Sequence, residues 1–342
     1  MASAGSYVYV GLAGETGPGY TAKSGLFRSR NGEAPWERVG AGLPADAQVR
    51  AIAAHPARPG AVLVGTQDGV YRSEDHGARW TRLDAPAPGL AVWSLLLHPR
   101  DPDTVYAGYE PCAIHRSTDG GATWRALPVR VTFPDVTLRP PPQPKRVTGI
   151  AVDPGHPDEI YASVEVGGLL RSLDAGKSWE CVTDGLYLVD DAVDLHGVAV
   201  SAARPRAVDV IGRIGMFRSE DRGAHWRSVP LPPMSLRGTY CRTLCLPPDD
   251  PDTYYLGAGA DFDGDEGVLL LSRDRGGTWS RVDLGAKPRS TVFGVGVDPR
   301  EPARVYCVAK GGEFFASRDR GMTWRAHPLP DGATQVYALA VG

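Results

Sequence analysis

No apolar run in these 342 residues is long enough to cross a bilayer, so no membrane span is expected. Charge of one sign is also missing: 37 Lys and Arg stand against 40 Asp and Glu. A nucleic-acid partner, which needs a basic surface, is therefore not expected. Cysteine is scarce. The five (Cys112, Cys181, Cys241, Cys245 and Cys307) are odd in number, and their spacing builds no disulfide framework. Free thiols in a reducing compartment are the expectation, and with them a cytoplasmic location. The first six residues carry no basic stretch and no apolar core, and Tyr7-Val-Tyr-Val10 already reads as strand, so no secretory leader is expected. Helical periodicity is absent as well, which leaves an all-β chain.

What is abundant is punctuation: 42 Gly and 30 Pro. Much of it belongs to one repeated box, Ser-x-Asp-x-Gly-x-x-Trp. It runs Ser73 to Trp80, Ser117 to Trp124, Ser172 to Trp179, Ser219 to Trp226, Ser272 to Trp279 and Ser317 to Trp324. A worn seventh copy runs Ser29 to Trp36, with Asn31 read in the Asp place and Gly32 one step early. The copies recur every 44 to 55 residues or so, the period of a four-stranded propeller blade. Within each repeat an apolar strand with small residues, such as Val147 to Val152, is followed by an Asp-Pro or His-Pro turn and further short strands. The box has a structural task. Its Asp accepts backbone hydrogen bonds in a turn, its Gly takes a backbone angle other residues resist, and its Trp is an apolar plate.

Seven inner strands are countable, and the last, Val336 to Val341, has no strands after it. The N-terminal repeat has three strands and no inner one. The two ends complete each other, so the expectation is one seven-bladed propeller domain over residues 1–342, latched by both termini.

The boxes resemble the Asp-box, or BNR, repeats of sialidase-type propellers. Similar repeats occur in sialidases, xyloglucanases, sortilin-type receptors and photosystem II stability or assembly factors. A single short-looped domain most resembles the assembly factors and their bacterial relatives. That resemblance implies a rigid ring presenting a charged face to a protein partner. A sialidase is not expected, because the Phe-Arg-Ile-Pro signature of that family is missing and its ring has six blades. A xyloglucanase is not expected either, because those enzymes place a cleft between two propellers.

Aligned inner strands give one column that shares no residue type: Arg50, Trp93, Thr148, His196, Arg242, Phe293 and Tyr337. A second column closes the second strands: Ala13, Gln67, Glu110, Glu165, Arg213, Gly259 and Lys310. Both are expected at the same mouth of the central channel, where variation leaves the scaffold intact. Trp93 is the one tryptophan outside a box, and His196 the one histidine in the column. His196 with Glu165 and Tyr337 suggests acid/base chemistry, because imidazole titrates near neutrality. Arg50, Arg213, Arg242 and Lys310 offer cationic grips, and Trp93 and Phe293 offer stacking surfaces, with Glu110 beside them.

The expected function is small-molecule binding with acid/base catalysis by a lyase, isomerase or hydrolase on a small anionic or aromatic compound. The alternative is a protein-interaction scaffold. Two insertions, residues 128–145 and 183–194, are expected to roof this mouth; the second carries Asp190, Asp191 and Asp194. No organic cofactor is expected. The alternate acids Asp261, Asp263 and Asp265 resemble half of a calcium loop and mark a candidate divalent-metal site.

Overall fold

The computed structural model describes residues 5–14, 24–33, 35–84, 89–131, 144–183, 186 and 190–342. Most of the 128–145 insertion, residues 132–143, lies outside the described residues, as do residues 184, 185 and 187–189 of the other. Within the described residues the chain forms seven sheets of four antiparallel strands and a single 3-10 turn, Asp190–Val193. No helix among them is long and apolar enough to cross a membrane.

Each blade runs outward from its inner strand. The inner strands are Ala51–Ala54, Ala91–Leu97, Val147–Val152, Leu195–Val200, Tyr240–Cys245, Val292–Val297 and Val336–Val341. Each touches the next in this order, and Val336–Val341 touches Ala51–Ala54, which closes the ring. The closing blade is composite: Val336–Val341 pairs antiparallel with Tyr7–Leu12, with Val8 opposite Val341. Each inner strand is the channel-side edge of its blade, and the pairing of Val336–Val341 with Tyr7–Leu12 leaves no open blade at the seam.

The apolar core lies between blades. Tyr106, Ile114 and Leu127 of one blade pack with Val147, Ile160, Val164 and Leu170 of the next. The alternation of the strands makes this possible, because successive side chains point to opposite faces of a blade and both faces are covered.

The six full boxes share one Ser–Asp–Gly geometry on the outer hairpins. In the first full copy the Ser73 hydroxyl donates to Asp75 at 2.8 Å and accepts from the Gly77 N–H at 2.8 Å. Asp75 also accepts the Arg79 N–H at 2.9 Å, and the Trp80 indole N–H reaches the Gly77 carbonyl at 3.0 Å. These bonds favour the ionised carboxylate. In the next copy, hydrogen bonds from the Thr123 hydroxyl and backbone and from Ser117 pull the Asp119 carboxyl down to about 2. The residue before the box Gly is left-handed in every copy, with φ of 58° at His76, 69° at Gly120, 59° at Ala175 and 64° at Arg222. In the worn copy Asn31 takes this left-handed place at φ 57°, followed by Gly32. It is therefore the Asp position that the worn copy has lost. Asn serves there because it tolerates this region better than most side chains.

An arginine belt joins the boxes. Arg28, Arg72, Arg171 and Arg218 each precede a box serine. Each donates to the carbonyl of the left-handed residue in the next blade's box: His76, Gly120, Arg222 and Arg275. Arg273 makes the equivalent bond to Arg320 at 3.0 Å. Glu33 closes the belt by accepting from Arg304 and Arg318 across the seam. The box tryptophans fill the gaps beneath. Trp80 is buried beside Tyr9, Val39 and Leu43. Trp80→Ala is expected to cost about 3–5 kcal/mol, read as a lowered denaturant midpoint.

Candidate functional site

The variable column of the inner strands sits on β-bulges. In five blades the register slips by one residue, between Val92 and Ser94, Val147 and Gly149, Leu195 and Gly197, Cys241 and Thr243, and Val292 and Gly294. The extra residues are Trp93, Thr148, His196, Arg242 and Phe293. Tyr337 is the extra residue of the composite blade, where Ala338 and Val336 pair with Gly11 and Leu12. Arg50 stands just before its strand, and its N–H donates to the same Gly65 that pairs with Ala51. A bulge breaks the ladder locally and re-aims a side chain. All seven side chains line one channel cavity of about 300 Å³.

Above it, the ends of the second strands supply charge. Glu110 and Glu165 come from adjacent blades and meet one guanidinium: Arg146 Nε lies 3.6 Å from Glu110 Oε2 and 3.2 Å from Glu165 Oε2. Arg146 also lies over the Trp93 ring, 4.2 Å from its centre, and Arg50 over the same ring at 4.9 Å. Arg213 faces Asp194 at 3.8 Å. Lys310 is buried against Asp263 and the Phe262 ring, with Nζ 3.3 Å from the ring centre. Edge contacts join Phe262 to Phe293, Tyr337 and Tyr240. Phe262 is part-buried, whereas Phe293, Tyr337 and Tyr240 are buried.

The sequence expectation for His196 changes in detail. Its Nδ1–H donates to the Cys241 carbonyl at 2.7 Å, and its ring packs on Tyr240 at 4.6 Å. The carboxylate facing Nε2 is Asp194, at 3.7 Å, while Glu165 contacts Arg146. Burial, with the nearby Arg242 charge, pulls the His196 pKa down to about 4. The ring is therefore neutral through the physiological range. Its contribution to stability is complete above the ordinary histidine value near 6.5 and is lost as pH falls from there toward about 4. The expected NMR titration of the His196 ring has its midpoint near 4, with no step near 6.5.

The acidic loop takes a different part from the one its pattern suggested. Asp263 pairs with Lys310, and the Asp261 carboxylate caps the Phe262 N–H at 2.8 Å. Among the described residues no three His, Cys, Asp or Glu side chains stand close enough to hold a metal ion, so Asp261, Asp263 and Asp265 are not brought together as ligands. The loop instead carries Phe262 to the mouth.

Arg146, Asp194 and Tyr240 belong to the site as much as the two predicted columns do. Each lies two positions before a bulge residue, a third column that the sequence displays once the bulge is known.

No protein-family model matches the chain, so the Asp-box resemblance rests on the repeats alone. Curated relatives do match. A xyloglucanase of Paenibacillus sp is 28% identical over 313 residues, which covers 68% of this chain and 26% of that protein. A xyloglucanase of Hypocrea jecorina is 26% identical over 332 residues, covering 81% and 38%. The chain thus spans between about a quarter and two fifths of the length of these relatives. Among solved structures, the GH74 enzyme of Niastella koreensis superposes with a TM-score of 0.66 at 20% identity, covering 85% of this chain and 46% of that one. YCF48 from Cyanidioschyzon merolae superposes at 0.60 and 16% identity, covering 86% and 89%. These two likenesses establish the fold, a seven-bladed propeller.

Two functional expectations are overturned. The relatives are glycoside hydrolases, not enzymes of small anionic or aromatic compounds, and xyloglucanases are the very class that the sequence reading set aside. The acid/base reading also leaned on His196, which is buried and neutral. The scaffold alternative is not overturned, because the structural neighbours include YCF48 bound to D1 peptide, which superposes with a TM-score of 0.59 at 16% identity. At the mouth, Arg146, Arg213 and Lys310 are each paired with an acid of the mouth itself.

Proposed function

We propose that the protein acts on a β-linked glucan as a glycoside hydrolase, with Glu165 and Glu110 as the carboxylate pair at the channel mouth. The observation that supports this reading is the convergence of these two side chains, from adjacent blades, on Arg146 in a chain whose curated relatives are xyloglucanases. Both oxygens lie near one nitrogen, so they are no more than about 7 Å apart, close enough to serve as a glycosidase carboxylate pair. In such a pair one carboxyl protonates the leaving oxygen, and the other carboxylate activates water or attacks the sugar. Glu165, the more exposed at 26%, is the group placed to exchange a proton with substrate. Arg146 fixes both, and Phe262 offers a ring at the entrance for a sugar face.

A reducing-end assay on xyloglucan and on cello-oligosaccharides tests the reading. New reducing ends released by the purified chain are the expected result. No release from any β-glucan, together with no binding, overturns it.

A further inference from the structure

Among the described residues the charges of the mouth do not cancel. Glu110 and Glu165 share Arg146, Asp194 faces Arg213, and Asp263 holds Lys310. Two guanidiniums of the channel column, Arg50 and Arg242, have no acid contact among the described residues. Arg242 lies over the Phe293 and Tyr337 rings, at 4.8 and 5.6 Å. Arg50 is 5% exposed; its Nη2 donates to the Gly14 carbonyl and to Gln48. Its Nε and Nη1 are buried without any acceptor among the described residues. Both side chains line the same cavity of about 300 Å³. A buried guanidinium that forgoes hydrogen bonds is costly, and the cost is relieved by an anion that fills the space.

We propose that this cavity receives a carboxylate carried by the glycan, so that the substrate is an acidic glucan bearing a uronic acid, held by Arg50 and Arg242. The inference rests on the glycan reading above and names its substrate class. A uronate carboxylate in the cavity supplies a counter-charge for both guanidiniums, and charge-assisted bonds to an arginine are about twice as strong as neutral ones. The neighbouring Trp93 and Tyr337 rings, 6.0 Å apart, give the sugar body an apolar wall. The cavity volume suits one monosaccharide unit, at the lower end of ordinary ligand sites.

Calorimetric titration with cellobiose and with cellobiouronic acid, which differ by a carboxylate in place of one hydroxymethyl group, is the test. The acid is expected to bind at least tenfold tighter at low salt, and the gap is expected to narrow as salt rises. Arg242→Gln is expected to remove the preference for the acid. Arg50→Gln is expected to do the same. Should Arg50→Gln fail to fold, the part-exposed Arg242 decides the matter. Equal binding of the two disaccharides overturns the acidic-substrate inference and leaves the glycan reading standing. Binding of neither removes both. If sodium acetate binds as tightly as cellobiouronic acid, the site takes free carboxylates and the assignment to a sugar acid is overturned.

Discussion

Glu165→Gln lowers kcat on the cleaved glucan by about 10²- to 10⁴-fold, the loss that follows removal of a carboxylate acting in proton transfer. The substitution keeps the shape and the hydrogen-bonding reach of the side chain and removes its charge. Arg146 retains Glu110 at 3.6 Å, so the guanidinium is not left without an acid and the ring stays folded. KM changes little, because the residue acts on the glycosidic bond rather than on the sugar body. Glu110→Gln gives a second large loss. Arg146→Lys separates positioning from chemistry. It preserves the charge but cannot set one planar group against both carboxylates and the Trp93 ring, so its pH–rate profile shifts while activity persists. Unchanged kcat in Glu165→Gln, with the protein folded, would remove this carboxylate from the mechanism.

A stability effect as large as that of Trp80→Ala is expected on the outer belt, at Arg218→Ala. Arg218 and Asp209 are 2% and 5% exposed and form a buried pair, with Nη2 to Oδ2 at 2.9 Å. The same guanidinium reaches the Arg275 carbonyl of the next blade's box. Truncation strands Asp209 in the interior and breaks the link between blades, at a cost of about 3–5 kcal/mol. Burial pushes the Asp209 carboxyl up even with its partner present. An acid raised in the folded state contributes its stability below the ordinary carboxylate value and loses it as pH rises through the folded one. The Arg218→Ala variant is therefore least impaired in acid and most impaired at neutral pH, measured as denaturant midpoints at pH 5 and pH 8. Removing Asp209 as well is expected to recover part of the loss, because the stranded charge goes with it. Additive losses in the double variant would show the pair to be uncoupled.

The scaffold was legible because its constraints repeat. Box, turn and small-residue strand recur in each blade, and the unpaired Val336–Val341 strand matched the three-stranded start. The channel column was legible for a related reason: its residues share no type while their neighbours do. What alignment does not display is that this column is a row of bulges. The slip in register turns the residue two positions earlier toward the same mouth. That is how Arg146, Asp194 and Tyr240 enter the site and why Glu165 finds Arg146 instead of His196. Asn31 was misplaced by one position because spacing alone cannot separate a missing Asp from an early Gly; its φ of 57° does. The chemistry was not legible in the repeats, since a box that folds a hairpin is indifferent to what the channel binds. The seven residues that differ among blades carry that information, and burial decides which of them are reachable.

A crystal structure of the protein soaked with a β-glucan oligosaccharide such as cellotetraose tests the central claim most directly. The account predicts sugar density over the channel mouth, with a glycosidic oxygen within hydrogen-bonding distance of Glu165 or Glu110 and a sugar ring against Phe262. Sugar bound on the blade rim, away from Arg146, with the mouth unchanged, would contradict it.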